Sequence, residues 1–581
     1  MGTISDKLMR IINTKEDIRQ ALISKGYDVP TSIPFKEYAK MILDLPCKVD
    51  SFPDIEGIVA RYSASGLTNE QMAANPVWVD KTGNGHDIQL KNFSWKGMSG
   101  VGGYEMNFNL WRNNVSSIPD ISMSTTTTSV SVSVGNSTYN NNLIYIHISN
   151  WDINKNHWLK VTSTYEDGDL AFIFYNDSNT KKIGLPANGY VNILAYPEFK
   201  GSYMYISTIS NKQGSFTIEQ LPLYPGALVF DGVDDYGVCE NFPILTKEKG
   251  YTVVVLRQWI EEKNDSTALV SNCKNWNQDG AFLFEYNNLR INFLNAAISF
   301  GHVSSVDRGK SPFSYQTSKL YNGKNIKPGS FIGSNELVVG KGNKDFPTVS
   351  NAAIWEIVIL DHDATEEELT KIKDYFVKTY PWLFPDQAWT VVGKTNEDED
   401  RATIANITGN GNDLVLSNFG FAEGSGYNEE GEYAGYLVTD GVDDKITSST
   451  FEMGNDWTVI GDWELINTGK NDNAGIVKFD SIVIYNYNPI LINIKNGRNN
   501  LIPDQNTVNA ICSDGRIYSK DWKESIYNEE TESTSKNLLT IGYSGNSYTK
   551  IAFKNLAIYP TVLSREDCIK AYNYLQTLKA K

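Results

Sequence analysis

The sequence has few cysteines, few histidines and no long apolar run. Its 581 residues include five cysteines and five histidines. The cysteines form no C-x-x-C pair, so neither a disulfide scaffold nor a zinc site is predicted; they are Cys47, Cys239, Cys273, Cys512 and Cys568. No apolar stretch approaches the ~20 residues that cross a bilayer, so membrane insertion is not expected. The first residues lack the apolar core of a secretion signal, and we therefore expect a protein made in the cytoplasm without export.

Positive charge is also scarce. Lys and Arg number 52 against 69 Asp and Glu, which gives a net charge of −17 and a pI near 4.9. Because nucleic-acid binding relies on clustered Lys and Arg, a nucleic acid is not an expected partner. Aromatic residues reach 12% and glycines number 45, which indicates a globular chain with enough apolar material for several cores.

Residues 1 to 46 differ in character from the rest of the chain. Their apolar residues recur at helical spacing and predict two short helices; these residues are Ile4, Leu8, Ile11, Ile18 and Leu22 in the first helix and Phe35, Tyr38 and Ile42 in the second. Two such helices cannot bury a sufficient core by themselves. They either pack on the chain's own β domains or act as an anchor that docks onto copies of the chain or onto a larger assembly.

From about residue 50 onward the pattern is that of β-structure. Val130, Val132 and Val134 alternate with serines, which predicts a strand with one buried face. Asn-Gly and Asp-Gly pairs recur along the chain and favour tight hairpin turns. Strands that are separated by such turns, without alternating helices, predict antiparallel sandwiches or barrels.

Four sequence blocks occur twice, in the same order. TGNGHDIQLKNF from Thr82 matches TGNGNDLVLSNF from Thr408, and LVFDGVDD from Leu228 matches LVTDGVDD from Leu437. The opening GLTNE and GKTNE blocks match as well, and so do the closing blocks, which consist of an apolar strand and a helix. These matches predict a duplicated domain.

The spacing between the repeated blocks reveals an insertion. From the TGNG block to the DGVDD block the first copy has 148 residues and the second has 31, a difference of 117. We therefore predict a helical anchor at 1–46, a first copy at 47–105 and 223–385, an inserted segment at 106–222 and a second copy at 386–581. Loops of a rigid sandwich tolerate such insertions, and the inserted segment is expected to form a small β domain.

The repeated blocks resemble the concanavalin A-like (laminin-G-like) lectin/glucanase superfamily of jelly rolls. The resemblance rests on the opening Trp78-x-Asp80 with its TGNG turn, on Phe230 to Tyr236, and on the closing Leu563-Ser564 with its short helix. The second copy lacks the opening Trp and Asp. The resemblance implies a mostly β fold of two concanavalin A-like jelly-roll sandwiches, one with the inserted β domain, beside the N-terminal helical anchor. It says little about function, because such sandwiches serve as lectins, enzymes and passive spacers.

A second resemblance concerns two stretches in the first hundred residues. The stretch from Thr14 to Ile42 and the stretch from Gly66 to Tyr104 are similar to virion appendage proteins of gut Bacteroidales phages, including crAss-like phages. This implies a head or tail fibre, with the head fibre favoured, that is made in the host bacterial cytoplasm and located on the virion surface. The implied partners are copies of the chain as a trimer or dimer, capsid or tail proteins at the N-terminus, and host surface glycans.

Two acidic turns are the main candidates for chemistry. They are Asp231, Asp234 and Asp235 in the first copy and Asp440, Asp443 and Asp444 in the second. The D-G-V-D-D pattern is typical of a hairpin turn; the alternatives are calcium ligation and acid/base catalysis, which needs two carboxylates facing one bond. The E-x-D-x-E strand expected of a glucanase is absent from the sequence. We therefore predict no enzyme activity and no cofactor, with calcium as the alternative.

One polar turn is the candidate for sugar contact. Trp276 lies beside Asn277 and Asp279, and an indole face can stack on a pyranose ring. Trp259, Trp355 and Trp457 lie in apolar strands and are expected in cores. The sequence thus favours a fibre that contacts host surface glycans. A glycan-active enzyme with an unrecognised carboxylate pair and a spacer without a ligand remain alternatives.

Overall fold

The structure is a computed structural model. It describes residues 15, 52–113, 121–135, 145–148, 151, 157–176, 179–193, 199, 203–208, 213–246, 248–261, 267–275, 279–285, 311–325, 334–431, 433–466, 475–479, 482–485, 491–494, 498–501, 508–519, 522, 524–526, 538–543 and 547–580. The chain divides into two compact units, Met1–Asp54 and Ile55–Lys581. The predicted anchor residues lie outside the described residues; they are Ile4, Leu8, Ile11, Ile18, Leu22, Phe35, Tyr38 and Ile42.

The second unit is mostly β, as the sequence predicts. Every pairing between the described strands is antiparallel, and the strands form several separate sheets. No helix among the described residues is long and apolar enough to span a membrane.

The first copy contributes two sheets. Eight of its described strands form one of them, in which β24 pairs with β1, β15 and β17; the strands are β1 (Ile58–Ser63), β4 (Gly100–Val101), β15 (Leu228–Asp231), β17 (Thr252–Glu261), β20 (Phe313–Thr317), β21 (Leu320–Tyr321), β22 (Lys324–Asn325) and β24 (Asn351–Leu360). Six described strands form the other, namely β2 (Val77–Trp78), β3 (Ile88–Lys91), β16 (Tyr236–Cys239), β18 (Val270–Asn275), β19 (Asp279–Phe284) and β23 (Leu337–Val339).

These two sheets share one apolar core. Ile354 and Val255 from the larger sheet belong to the same buried cluster as Ile88 and Val339 from the smaller one. Strand β24 is buried along almost its whole length, which explains its nearly continuous apolar sequence. Trp355 is fully buried, as the sequence predicts.

The inserted segment forms two further sheets with a core of their own. Five described strands form one sheet, namely β5 (Arg112–Asn113), β8 (Tyr145–His147), β10 (Leu170–Asn176), β11 (Asn179–Leu185) and β13 (Tyr203–Thr208). Five form the other, namely β6 (Ile121–Thr125), β7 (Ser129–Val134), β9 (His157–Ser163), β12 (Asn188–Ile193) and β14 (Gly214–Gln220). Val130, Val132 and Val134 of β7 are buried while the serines between them are half-buried or exposed, so the predicted alternation is confirmed.

The second copy also contributes two sheets around one core. Eight described strands form the sheet that contains the closing strand, namely β25 (Gln387–Thr390), β28 (Gly426–Tyr427), β29 (Leu437–Val438), β31 (Thr458–Leu465), β36 (Val508–Cys512), β37 (Arg516–Ser519), β38 (Glu524–Ile526) and β40 (Ile551–Tyr559). Eight form its partner, namely β26 (Thr403–Ile404), β27 (Leu414–Ser417), β30 (Lys445–Thr447), β32 (Gly475–Phe479), β33 (Ile482–Tyr485), β34 (Leu491–Ile494), β35 (Arg498–Leu501) and β39 (Thr540–Ile541). Trp457 is buried in this core.

Three α-helices accompany the described sheets, namely α1 (Asn69–Ala74), α2 (Glu366–Thr379) and α3 (Arg565–Thr577). Helices α2 and α3 follow the matching strands β24 and β40, and each is preceded by an N-cap residue. The Thr365 hydroxyl accepts from the Glu368 N–H in a capping box, and the Ser564 hydroxyl accepts from the Asp567 N–H. Such caps satisfy backbone donors that the helix leaves open, so the Thr or Ser after each closing strand sets where its helix begins.

Candidate functional site

The first acidic turn joins β15 to β16. The Asp231 Oδ1 atom accepts hydrogen bonds from the backbone N–H groups of Val233 (2.7 Å) and Asp234 (3.4 Å). Asp235 is buried; its Oδ2 atom accepts from the Asp231 N–H at 3.1 Å, and its Oδ1 atom accepts from the Ser99 hydroxyl at 3.0 Å. Asp231 and Asp235 therefore tie the turn to itself and to a neighbouring loop, while the Asp234 side chain is exposed.

The second acidic turn, between β29 and β30, repeats this arrangement. The Asp440 Oδ1 atom accepts from the N–H groups of Val442 (2.7 Å) and Asp443 (3.2 Å), and the buried Asp444 accepts from the Asp440 N–H at 2.8 Å. Val442 at the tip is 71% exposed, and its counterpart Val233 is 72% exposed. Both copies thus present the same short tip, an exposed valine between carboxylates.

The two buried carboxyl groups hold their protons more tightly than an ordinary aspartate. Burial, followed by the neighbouring Asp231 carboxylate, raises the pKa of Asp235 from 3.8 to about 7. Burial also raises the pKa of Asp444, to about 6. The Ser425 hydroxyl beside Asp444 lowers that pKa, although no hydrogen bond of normal geometry reaches Asp444 Oδ1. Near neutral pH, Asp235 is therefore partly protonated.

A loop supports each acidic turn in the same way in both copies. The Asn92 side chain donates to the Asp234 carbonyl at 3.1 Å, and the Asn418 side chain donates to the Asp443 carbonyl at 2.9 Å. Both asparagines have a positive φ, 67° and 70°, which asparagine tolerates better than most residues. The two loops are thus held in one shape by the same residue type.

An aromatic residue occupies an unusual conformation in each of these loops. Trp95 has φ 55° and Phe421 has φ 49°, a region that costs a bulky residue energy and is retained only where the surroundings impose it. Trp95 stacks on Phe93, with ring centroids 4.9 Å apart, and Arg401 covers the Phe421 ring at 5.1 Å. Both rings are half-buried and pack against the cores of their copies. They therefore do not present a free face on which a sugar could stack.

A lysine and a tyrosine flank each acidic turn in exchanged positions. In the first copy the Lys341 ammonium lies 4.0 Å from the centre of the Tyr236 ring. In the second copy Lys445 follows the turn and lies 5.8 Å from the Tyr543 ring. Lys341 and Tyr543 each follow a positive-φ glycine, so they are equivalent positions. The cation–π pair is present in both copies although its two residues have changed places.

The acidic turns can accept hydrogen bonds or hold a hard cation. In each turn the three carboxylates bring oxygen atoms within 4.8 Å of one another, a spacing compatible with calcium. In each turn two of the three carboxylates, Asp231 and Asp235 or Asp440 and Asp444, already accept hydrogen bonds from the turn's own backbone, which is typical of a structural hairpin. The carboxylates of one turn lie on one tip and do not face each other across a cleft, so the turns do not have the layout of a glycosidase pair.

One of the three predicted sugar-contact residues is among the described residues. Trp276 and Asn277 lie outside the described residues. Asp279 begins strand β19, which pairs with β18, and the structure describes its backbone only. The structure therefore brings together the three aspartates within each acidic turn. The glycan-contact turn stays a prediction.

Sequence reasoning missed a buried carboxylate cluster in the first copy. The fully buried Glu285 accepts from the Arg257 guanidinium at 2.6 Å, from the Trp259 indole N–H at 2.6 Å and from the Ser314 hydroxyl at 2.6 Å. Burial opposes ionisation of Glu285, but Arg257 outweighs it and keeps the pKa of this carboxyl below its usual value. Trp259, predicted as a core residue, is half-buried, and its indole N–H donates to this cluster.

A second buried carboxylate lies on the other face of β24. Glu356 accepts from Arg61 Nε at 3.1 Å and from the Tyr380 hydroxyl at 2.9 Å. Burial raises the pKa of Glu356, and Arg61 opposes that rise. One signal in the sequence could have revealed it, a lone glutamate within the apolar run IWEIVIL.

Comparisons with known proteins leave the chain without an assigned family. No family model and no curated protein matches it. Among solved structures, Trypanosoma rangeli sialidase in complex with sialic acid is similar over 78% of this chain and 83% of that one, with 9% identity and a TM-score of 0.25. The botulinum neurotoxin serotype D binding domain is similar over 88% of this chain and 98% of that one, with 9% identity and a TM-score of 0.15. Similarities of this size carry no argument about fold or function.

Proposed function

We propose that the chain is a virion appendage protein of a tailed phage, a head fibre in preference to a tail fibre, that contacts host surface glycans. The observation that carries the proposal is that one and the same acidic tip is built twice. Asp234 and Asp443 are exposed beside Val233 and Val442. Carboxylates accept hydrogen bonds from sugar hydroxyls, and two weak contacts on one chain gain by acting together.

The proposal includes a finer fold for each part of the chain. Each copy is a concanavalin A-like jelly-roll sandwich, and two sheets around one core in each copy support this. The inserted segment, 106–222, is a small β domain, supported by its separate core. Residues 1–46 form a helical anchor, which rests on the sequence pattern alone.

The same proposal assigns partners and location. The anchor joins copies of the chain into a trimer or dimer and attaches them to capsid or tail proteins, so that the β domains face outward from the virion surface. The chain is made in the host bacterial cytoplasm and neither binds nucleic acid nor inserts into a membrane. Calcium at the acidic turns is an optional ligand, and no other cofactor is required.

Glycan-array binding of the full-length oligomer, run beside a polysaccharide-degradation assay, tests this function. We expect binding without turnover, and weaker binding by the double variant Asp234→Asn, Asp443→Asn. These two exposed side chains cap neither turn, so the turns should persist. The matched control is Asp374→Asn, an exposed carboxylate on α2. Turnover of a polysaccharide would contradict the proposal in favour of a glycan-active enzyme, and silence in both assays would favour a spacer.

The anchor is tested separately by removing residues 1–46. We expect the remaining chain to stay folded but to become monomeric, as measured by native mass spectrometry. If the truncated chain remains oligomeric, the anchor assignment is wrong, because the β domains would then carry the contact between copies.

A further inference from the structure

Helix α3, at the end of the second copy, is in contact with the first copy and with the turn between the copies. The Gln258 side chain of the first copy donates to the Thr577 hydroxyl at 2.9 Å. The Lys570 ammonium lies 4.4 Å from the ring centre of Trp382, in the turn that leads from the first copy to the second. One face of α3 therefore provides a direct contact between the two copies.

The inserted segment reaches the same helix from another side. Trp158 on β9 meets Tyr572 of α3 edge to face, with ring centroids 5.0 Å apart, and lies 6.5 Å from Trp522. On the neighbouring strand β12, the Tyr190 ring lies 5.6 Å from the Arg565 guanidinium at the start of α3. These contacts join an inserted part of the first copy to the second copy.

Trp522 shows how tightly this contact is packed. It is fully buried, and its φ of 57° is unusual for a tryptophan. Its ring lies between Tyr518, 6.1 Å away, and Tyr572, 5.7 Å away. A bulky residue keeps such a backbone conformation only where its surroundings fix it, and here Tyr518 and Tyr572 enclose the ring.

The inserted segment is also held firmly where it leaves the first copy. The outgoing and returning chains hydrogen bond to each other, from the Leu223 N–H to the Gly103 carbonyl at 3.0 Å and from the Tyr224 N–H to the Gly102 carbonyl at 2.8 Å. The Met106 N–H donates to the Gln220 side chain at 3.0 Å. The connection is thus a paired stem and not two independent linkers.

We propose that the inserted segment is an internal brace that fixes the orientation of the two copies. The copies touch directly at α3, the inserted segment is held to the first copy by its stem, and Trp158 and Tyr190 return it to the second copy. These three contacts close a ring. Two domains joined by one small contact are expected to move relative to each other, whereas any rotation here must also separate Trp158 from Tyr572. This role does not depend on glycan binding.

Spin labels on the two acidic tips test the brace. Val233→Cys and Val442→Cys place labels at two exposed positions, one in each copy. The described native cysteines are buried, and Cys47 is replaced by serine. Double electron–electron resonance on labelled full-length chain, diluted into unlabelled chain, measures the distance between the tips. We expect one narrow distribution, which Trp158→Ala broadens about twofold or more by freeing the copies to rotate.

Controls and a second variant separate the brace from general damage. Tyr175→Ala removes an aromatic residue of the inserted segment that is 40% exposed, and it should leave the distribution narrow. If circular dichroism shows that Trp158→Ala is unfolded, the decision falls to Tyr190→Ala, which removes a half-buried ring and should also broaden the distribution. A broad distribution in the parent would overturn the proposal. A narrow distribution in the folded Trp158→Ala variant would also overturn it. If Trp158→Ala is unfolded, a narrow distribution in Tyr190→Ala would overturn it instead.

Discussion

The first and second copies share a framework but differ in the charges that they bury. Strand β24 of the first copy carries the buried Glu356, paired with Arg61 of β1. The strand register gives their counterparts in the second copy, where Asn555 of β40 lies opposite Thr390 as Glu356 lies opposite Ser63. In the same register, Ala388 is the counterpart of Arg61. The buried ion pair of the first copy is therefore replaced by two uncharged residues in the second copy.

The second buried ion pair of the first copy is also absent from the second. Arg257 lies opposite Ile354, and in the second copy Trp463 lies opposite Phe553, directly after a bulge in both cases. Trp463 is a buried core residue. The same sheet therefore forms with a buried guanidinium or with an indole at one position. Neither ion pair is required by the framework, and both are specialisations of the first copy.

Arg257→Met should cause the largest loss of stability. Removing one partner of a buried ion pair leaves the other charge uncompensated, at a cost of about 3–5 kcal/mol. Urea unfolding followed by circular dichroism measures the loss. Adding Glu285→Gln should recover part of it, since the double variant buries no net charge. Lys371→Ala, in an exposed pair with Glu367, is the control and should leave the urea midpoint unchanged. An unchanged midpoint for Arg257→Met would contradict the prediction.

Arg61→Ala should be nearly as costly, and a second substitution should repair it. The single change leaves Glu356 buried without its guanidinium, which costs about 3 kcal/mol. The double variant Arg61→Ala, Glu356→Asn recreates the pair that the second copy already contains, Ala388 and Asn555. We expect the urea midpoint of the double variant to return most of the way to that of the parent. A double variant as unstable as the single one would mean that the two copies are not interchangeable here.

Asp235→Asn should change how stability depends on pH. The folded chain binds a proton at Asp235 with a pKa of about 7, against 3.8 for an ordinary aspartate. A carboxyl whose pKa is raised on folding stabilises the protonated fold below pH 4, and this contribution is lost as the pH rises towards 7. The parent should therefore lose stability across that window relative to the asparagine variant, at a rate of at most ~1.4 kcal/mol per pH unit.

Thermal unfolding midpoints at pH 4.5 and pH 8 measure this effect. Asp444→Asn provides the comparison between the copies, because the pKa of Asp444 is raised only to about 6. The difference between variant and parent should grow with pH for both substitutions, and more for Asp235→Asn. Equal pH profiles for Asp235→Asn and the parent would show that the carboxyl titrates normally.

The exchanged lysine and tyrosine should give the smallest effect. Lys341→Ala should cost about 0.5–1 kcal/mol, the lower part of the range for cation–π pairs. The double variant Tyr236→Lys, Lys341→Tyr recreates the arrangement of the second copy and should be more stable than either of its single changes. A double-mutant cycle from urea midpoints gives the coupling between the two positions. A coupling free energy of zero would mean that the two side chains are adjacent but do not stabilise each other.

The β-rich character of the fold could be predicted from sequence because its signals are local. The D-G-V-D-D turns, the alternating valines of β7 and the Thr or Ser before each closing helix depend on neighbours a few residues away. The acidic turns were found for the same reason. The sequence does not distinguish their buried members from their exposed ones, because the Ser99 hydroxyl that hydrogen bonds to the buried Asp235 is far away in sequence.

The partner of each buried charge could not be predicted from sequence. Arg257 and Glu285 are 28 residues apart, and their meeting depends on a bulge in β17 that turns Arg257 towards the core. A similar case is the opening of the second copy, which lacks the aspartate of the first. Asn406 takes the place of Asp80 there and accepts from the Thr408 N–H at 3.0 Å, as Asp80 accepts from Thr82. An amide oxygen can accept this hydrogen bond in place of a carboxylate oxygen. A sequence motif that specifies aspartate at this position does not include that substitution.

The exchanged cation–π pair restricts the route by which the two copies diverged. From a common ancestor, Tyr236 with Lys341 and Lys445 with Tyr543 differ by two substitutions, and one must have come first. A step through two lysines places like charges together, whereas a step through two tyrosines keeps an aromatic contact. A route in which both positions carry tyrosine before one of them becomes lysine avoids that repulsion. An ancestral form of this tip is therefore expected to have carried a tyrosine at both positions.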